Sequence, residues 1–124
     1  MTSSSSNIDT VRDANEILSK WGCTSDQKTI LLAHDYLTDK YSNQVALETN
    51  ISSETLERAL CIISIDTNLA INFSQDDSIN NWVNQENSHP VFSGKTAMDF
   101  MLEGPAENLK KVAALLASWS VGNY

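Results

Sequence analysis

Cysteine and histidine are scarce, two of each among 124 residues. Cys23 and Cys61 belong to no C-x-x-C, and His34 and His89 form no HxxxH, HExxH or Cys/His cluster, so the ligand spacing of a metal site is missing. Two distant cysteines read as buried thiols of a reducing compartment, not as a disulfide framework. Basic residues are also few: eight Lys and Arg against sixteen Asp and Glu, a net charge of −8. That balance argues against broad, phosphate-driven nucleic-acid binding, which needs several cations on one face. It suits plain solubility, or a basic partner whose opposite field speeds encounter. No apolar run approaches the ~18 residues of a membrane span, and the opening MTSSSSNID lacks the apolar stretch of a signal peptide. The expectation is a cytoplasmic chain with no membrane partner. There is no G-x-S-x-G elbow and no other convincing catalytic constellation, so neither an enzyme nor a cofactor is expected.

What is present is helical periodicity. Apolar residues are 41% of the chain, enough for one compact domain or for two small subdomains sharing a core. Residues 1–8 are serine-rich and are expected to be a disordered tail. Val11, Ala14, Leu18 and Trp21 recur at three- and four-residue steps, which predicts a helix from Asp9 with these residues on one face and Gly22 ending it. Thr24 and Gln27 form a T-x-x-Q capping box for a second helix, with Ile30, Ala33, Leu37 and Tyr41 inward. Ser42 caps a short helix over 43–49, and Asn50 supplies the turn. Ser52 or Ser53 caps a longer helix to Phe73, with the heptad-like stripe Leu56, Leu60, Ile63 and Ala70. Asp76 and Asp77 suit the start of a short helix presenting Ile79, Trp82 and Val83. Asn84 to Pro90 is the clearest loop. Thr96 to Glu103 reads as a helix, Gly104 breaks it, and Pro105 opens a last helix that repeats Leu109, Val112, Leu116 and Trp119. Ser120 to Tyr124 is read as a tail. No alternating strand pattern occurs. The fold class is all-α with about seven helices, divided at residues 9–73 and 74–124.

Gly94-Lys95-Thr96 matches the end of a phosphate-binding loop, G-x-x-x-x-G-K-[ST]. The first glycine of that loop is absent. His89 stands there, followed by Pro90, which has no N–H to donate, and no buried strand precedes it. The same residues also serve as a helix start. Gly94 permits a turn, Thr96 is the N-cap with Asp99 three residues on, and Lys95 points outward.

The stretch FSGKTAMDFMLEG resembles the signature of the toxin-binding domain of Xre/MbcA/ParS-type antitoxins, roughly F/L-G-G-R-T/S-P/A-L/M-D/E-x-M/L with a glycine soon after. Phe92, Gly94, Lys95, Thr96, Ala97, Met98, Asp99, Met101 and Gly104 match it, while Ser93 replaces the first glycine and Lys95 the usual arginine. A Trp-containing short helix upstream, matched by Trp82, and a terminal amphipathic helix with a short tail are also similar to the family. The resemblance covers Ser52 to Tyr124. It implies an antitoxin whose partner is a RES-domain toxin that consumes NAD, blocked when the antitoxin's C-terminal segment fills the toxin's active site. The residues it points to are Phe92, Lys95, Trp119, Val121, Gly122, Asn123 and Tyr124, with Gly122 permitting a bend. A homodimer through the helical parts is also implied.

Val45 to Leu60 resembles a helix-turn-helix of the pattern L-A-x-x-x-G-[VI]-S-x-x-T-[VIL]-x-R-x-L, with Asn50 at the turn glycine, Ile51 plugging the core and Ser52 capping the recognition helix. Ser52, Ser53, Thr55 and Arg58 are the candidate DNA contacts. Glu54 and Glu57 repel phosphates, and only Arg58 donates strongly to a base edge. Two readings therefore stand: operator binding, or a helical hairpin that kept the packing and lost DNA affinity. An adaptor with a different partner is the third functional class beside antitoxin and transcriptional regulator.

Overall fold

The structure is a computed structural model that describes residues 3–33, 51–73, 81–85, 92, 94–103 and 105–122, with side chains of that set described from residue 9 to residue 119. Five helices lie among them: α1 (Ser3–Lys20), α2 (Ser25–Leu32), α3 (Ser53–Asn72), α4 (Ala97–Leu102) and α5 (Ala106–Gly122). No strand occurs among the described residues, so the class is all-α. The short helix expected over 43–49, the Asp76–Asp77 start, His34, His89, Leu37, Tyr41 and Gly104 lie outside the described residues. Of the helix expected around Trp82, Asn81 and Trp82 are described and are helical.

Helix α1 buries Val11, Ala14 and Leu18, and Trp21 just after it continues the same buried face, as their spacing predicts. Its end is a Schellman motif. Gly22 sits at φ +84, the Cys23 N–H reaches Leu18 O at 3.0 Å, and the Gly22 N–H reaches Ser19 O at 3.0 Å. Its start corrects the expected tail, because the helix runs from Ser3 and takes in most of residues 1–8. Serine costs only a few tenths of a kcal/mol relative to alanine in a helix, and extending a nucleated helix is easy.

The Thr24–Gln27 capping box opens α2, with both of its hydrogen bonds formed. The expected inward face of α2 is corrected. Leu31 and Leu32 are buried, Ile30 is exposed, and Ala33 ends the helix in the left-handed region at φ 51. Four apolar residues in a row, Ile30 to Ala33, offer a core residue at any phase, so periodicity did not choose among them.

Ser52 caps α3, its hydroxyl accepting from the Thr55 N–H at 3.0 Å. The core face of this helix is Thr55, Arg58, Ala59, Ile62, Ile65 and Leu69. The expected stripe is therefore displaced: Leu60 and Ala70 are exposed, and Leu56 and Ile63 are only half-buried. Helix α3 lies between α1 and α5, with its most extensive packing against α5. One cluster of buried side chains joins α1 and α3 to Trp82, Val83, Phe92, α4 and α5, so the parts expected on either side of residue 73 share a core. Leu109, Val112 and Leu116 of α5 are fully buried in it, as their spacing predicts. Burial of each such side chain is worth about 1.5–3 kcal/mol.

Candidate docking site

The segment from Phe92 to α5 is assembled around a chain of aromatic rings. Phe92 meets Phe100 edge-on at 5.5 Å and Trp82 at 6.1 Å, and Trp82 meets Trp119 at 5.9 Å with the planes 87° apart. Edge-to-face pairs set the positive rim of one ring on the negative face of the next, worth about 0.5–1.5 kcal/mol each beyond area burial. The series Trp119–Trp82–Phe92–Phe100 connects the end of α5, the turn at Trp82, the loop before α4, and α4 itself. Trp82 as the central platform is the part that sequence reasoning missed, having placed it only on a short helix upstream of the motif.

Gly94-Lys95-Thr96 builds a helix start. Gly94 takes φ +84, a region that disfavours side chains, and the Lys95 N–H closes a turn on Phe92 O at 2.9 Å. Thr96 caps α4, its hydroxyl accepting from the Asp99 N–H at 3.0 Å. Lys95 points outward and pairs with Glu103 at the far end of α4. The Met98 N–H donates to Val83 O at 2.8 Å, tying α4 to the Trp82 turn. Asn108 at the start of α5 donates from Nδ2 to Phe100 O at 2.8 Å. That side chain is buried and satisfies a carbonyl at the end of α4. It ties the start of α5 to the end of α4, and no motif flagged it. Lys110 reaches Glu57 of α3 at 3.2 Å and Glu107 at 3.4 Å, and these hydrogen bonds hold its pKa above the ordinary ammonium value.

The candidate contacts separate into two groups. Phe92 is corrected: it is 0% exposed and ringed by aromatics, so it is a core residue and not a contact surface. Lys95 is exposed but already paired. Trp119 is half-buried, packed on Trp82. Val121 and Gly122 extend the backbone of α5, so the segment read as tail is helical through Gly122. Asn123 and Tyr124 lie outside the described residues.

The helix-turn-helix candidates are corrected by burial. Thr55 is 1% exposed and donates from Oγ1 to Ala33 O at 3.2 Å. Arg58 is 5% exposed. Its Nη1 donates to Ile30 O at 3.3 Å and Leu31 O at 3.4 Å, and its Nε to Glu54 at 2.9 Å. Both side chains hold the carboxyl end of α2, where the Ala33 N–H reaches back to Ile30 O and the side chains add donors that the helix itself lacks. Ser52 and Ser53 are exposed, and Ser52 spends its hydroxyl on the cap. The strongest candidate donor to a base edge is thus turned inward.

Burial pushes the Cys23 thiol up to about 11, and burial followed by the Glu57 carboxylate raises Cys61. Neither is a reactive thiolate at neutral pH. Among the described residues no group of three His, Cys, Asp or Glu converges on one point, and no helix is long and apolar enough to cross a membrane. Comparison with family models, with curated proteins and with solved structures finds no match in any of the three.

Proposed function

We propose that this chain is an antitoxin-like protein. It binds a toxin of the NAD-consuming RES type and neutralises it by laying the end of α5 and the residues after it over the toxin's active site. The observation that carries this reading is the geometry of α5. The helix continues for six residues beyond Leu116, the last fully buried side chain among the described residues, to Gly122. Trp119 sits on that extension, half-buried and braced edge-on by Trp82. A braced, part-exposed indole on a helix end is the kind of anchor that dominates protein interfaces. The Phe92–Gly104 resemblance supports the same reading, because its residues build the turn, the cap and the Asn108 contact that aim α5. An enzyme that takes an anionic dinucleotide presents a basic cleft, and a chain of net charge −8 meets it with an attractive field.

The test is co-expression with a RES-type toxin. Deleting Ser120 to Tyr124 is expected to leave the helical signal intact and to weaken the complex at least tenfold, about 1.4 kcal/mol. A truncated chain that protects cells as well as the full one overturns the reading. Operator binding has lost its main donors, since Thr55 and Arg58 are engaged within the protein. An adaptor for some other partner would leave cells unprotected in the same assay.

A further inference from the structure

Helices α3 and α5 run side by side in the same direction. Lys110, near the start of α5, pairs with Glu57, near the start of α3, at 3.2 Å, and the two helices pack along each other from there. Equal steps from that pair bring Trp119 level with Asp66. Three contacts mark the same level independently. Lys20 at the end of α1 approaches Asp66 at 3.9 Å, the Asn84 side chain donates to Trp21 O at 2.8 Å, and Trp82 stands against Trp119. The ends of α1, α3 and α5 and the Trp82 turn therefore meet at one pole of the bundle.

The described residues of that pole are uncharged. No Lys, Arg, Asp, Glu or His occurs in residues 21–25, 67–73, 81–85 or 112–122, in a chain that is 19% charged. The Lys20–Asp66 pair sits at the border. The end of α3 is apolar as well. Ile71, roughly 7 Å beyond Asp66 along the helix, is 61% exposed, the most of any large apolar residue described. Ala70 beside it is also exposed. Charged groups resist losing their water, so a surface without them can be pressed dry against a partner. Depletion of charge around aromatic rings marks the centre of interfaces.

Resting on the reading of α5 as the inhibitory helix, we propose that the end of α3 is a second anchor for the toxin. Ile71 presses on an uncharged, apolar rim of the cleft that the end of α5 enters. Area argues for the same occupant on both helices. The part of α5 beyond Leu116 is under two turns long, and a helix about 10 Å across offers roughly 300 Å² there. A standard interface buries about 800 Å² per partner. A partner that covers Trp119 and extends towards that size reaches the end of α3, because packed helices lie only about 8–10 Å apart. The acidic remainder of the chain supplies the long-range attraction, and the neutral pole makes the contact. Two prongs on neighbouring helices hold their spacing before binding, which lowers the cost of ordering them.

Titration of the full chain against a RES-type toxin inactivated in its NAD site tests this. Ile71→Lys changes an exposed side chain, and a lysine suits the carboxyl end of a helix. It is expected to keep the wild-type circular dichroism and melting temperature and to raise the dissociation constant at least tenfold. Leu60→Lys adds the same charge at a site 53% exposed on the same helix, roughly 16 Å away. It is expected to leave the affinity within about threefold. A photo-cross-linking p-benzoylphenylalanine placed at position 71 is expected to capture the toxin, and one at position 60 is not. Wild-type affinity in Ile71→Lys overturns the proposal, as does an equal loss in Leu60→Lys. Absence of capture from position 71 overturns it too, and this readout decides the matter if Ile71→Lys unfolds. Deleting Ser120 to Tyr124 tests α5 separately. A complex lost on that deletion but indifferent to Ile71→Lys overturns the second anchor alone, and a wild-type chain that forms no complex overturns both.

Discussion

Replacing Arg58 separates a DNA contact from an internal brace. In Arg58→Ala the Ile30 and Leu31 carbonyls lose a cationic donor, Glu54 loses its partner, and the buried stem leaves a gap beside Ala59. The two carbonyl bonds are long, at 3.3 and 3.4 Å, so each counts at the low end of the 1.5–3 kcal/mol typical of bonds to a charged group. Glu54 is exposed and regains water, and its share is below about 1 kcal/mol. Lost stem packing adds a further kcal/mol or so. The sum is a destabilisation of about 4–5 kcal/mol. With a urea slope of about 2 kcal/mol/M, the unfolding midpoint falls by about 2–2.5 M. Arg58→Met restores the stem but not the donors and is expected to recover roughly a quarter of the loss. Lys111→Ala, an exposed control, is expected to stay within about 0.5 kcal/mol of wild type. Urea titration followed by circular dichroism reads all three. If Arg58→Ala unfolds at the wild-type midpoint yet abolishes binding to an operator fragment, the inward placement of this guanidinium is refuted.

Two further outcomes follow from burial. Phe92→Ala removes a fully buried ring and two edge-on partners. It should cost about 3–5 kcal/mol and lower the melting temperature by roughly 10–20 °C, whereas a surface contact residue would lose partner affinity at unchanged stability. For Cys23 the folded thiol is held at about 11 against an ordinary value of 9.0. Its full contribution to stability is therefore present below pH 9 and is lost as the pH rises towards 11, because the unfolded chain gives up the proton first. Melting curves from pH 8 to 11 should show this decline, flattened in Cys23→Ala. An equal slope in the variant would assign the decline to other groups.

Legibility in the sequence tracked how much a local pattern constrains the chain. Glycine at 22, the Thr24–Gln27 box and the Thr96 cap were readable because each acts within a few residues of itself. The inner face of α1 was readable because polar residues separate most of its apolar ones. Helix α3 was not. With apolar residues on both sides, 56-60-63-67-70 and 55-59-62-65-69 are equally periodic, and only the packing of α1 and α5 selects the second. Arg58 misled for a related reason. An arginine on a helix looks exposed until the carbonyls it serves, far back in the chain, are in place. Phe92 was placed on the surface because a motif conveys identity and spacing but not depth.

The two indoles at positions 82 and 119 stand nearly at right angles with their centres 5.9 Å apart. At that separation their electronic transitions mix, and mixing between skewed chromophores gives paired bands of opposite sign in the near-ultraviolet spectrum. One ring belongs to the helix end proposed to enter a partner and the other to the platform behind it. The molecule therefore carries an intrinsic optical gauge of its own terminus, which responds when that helix shifts, with no dye attached.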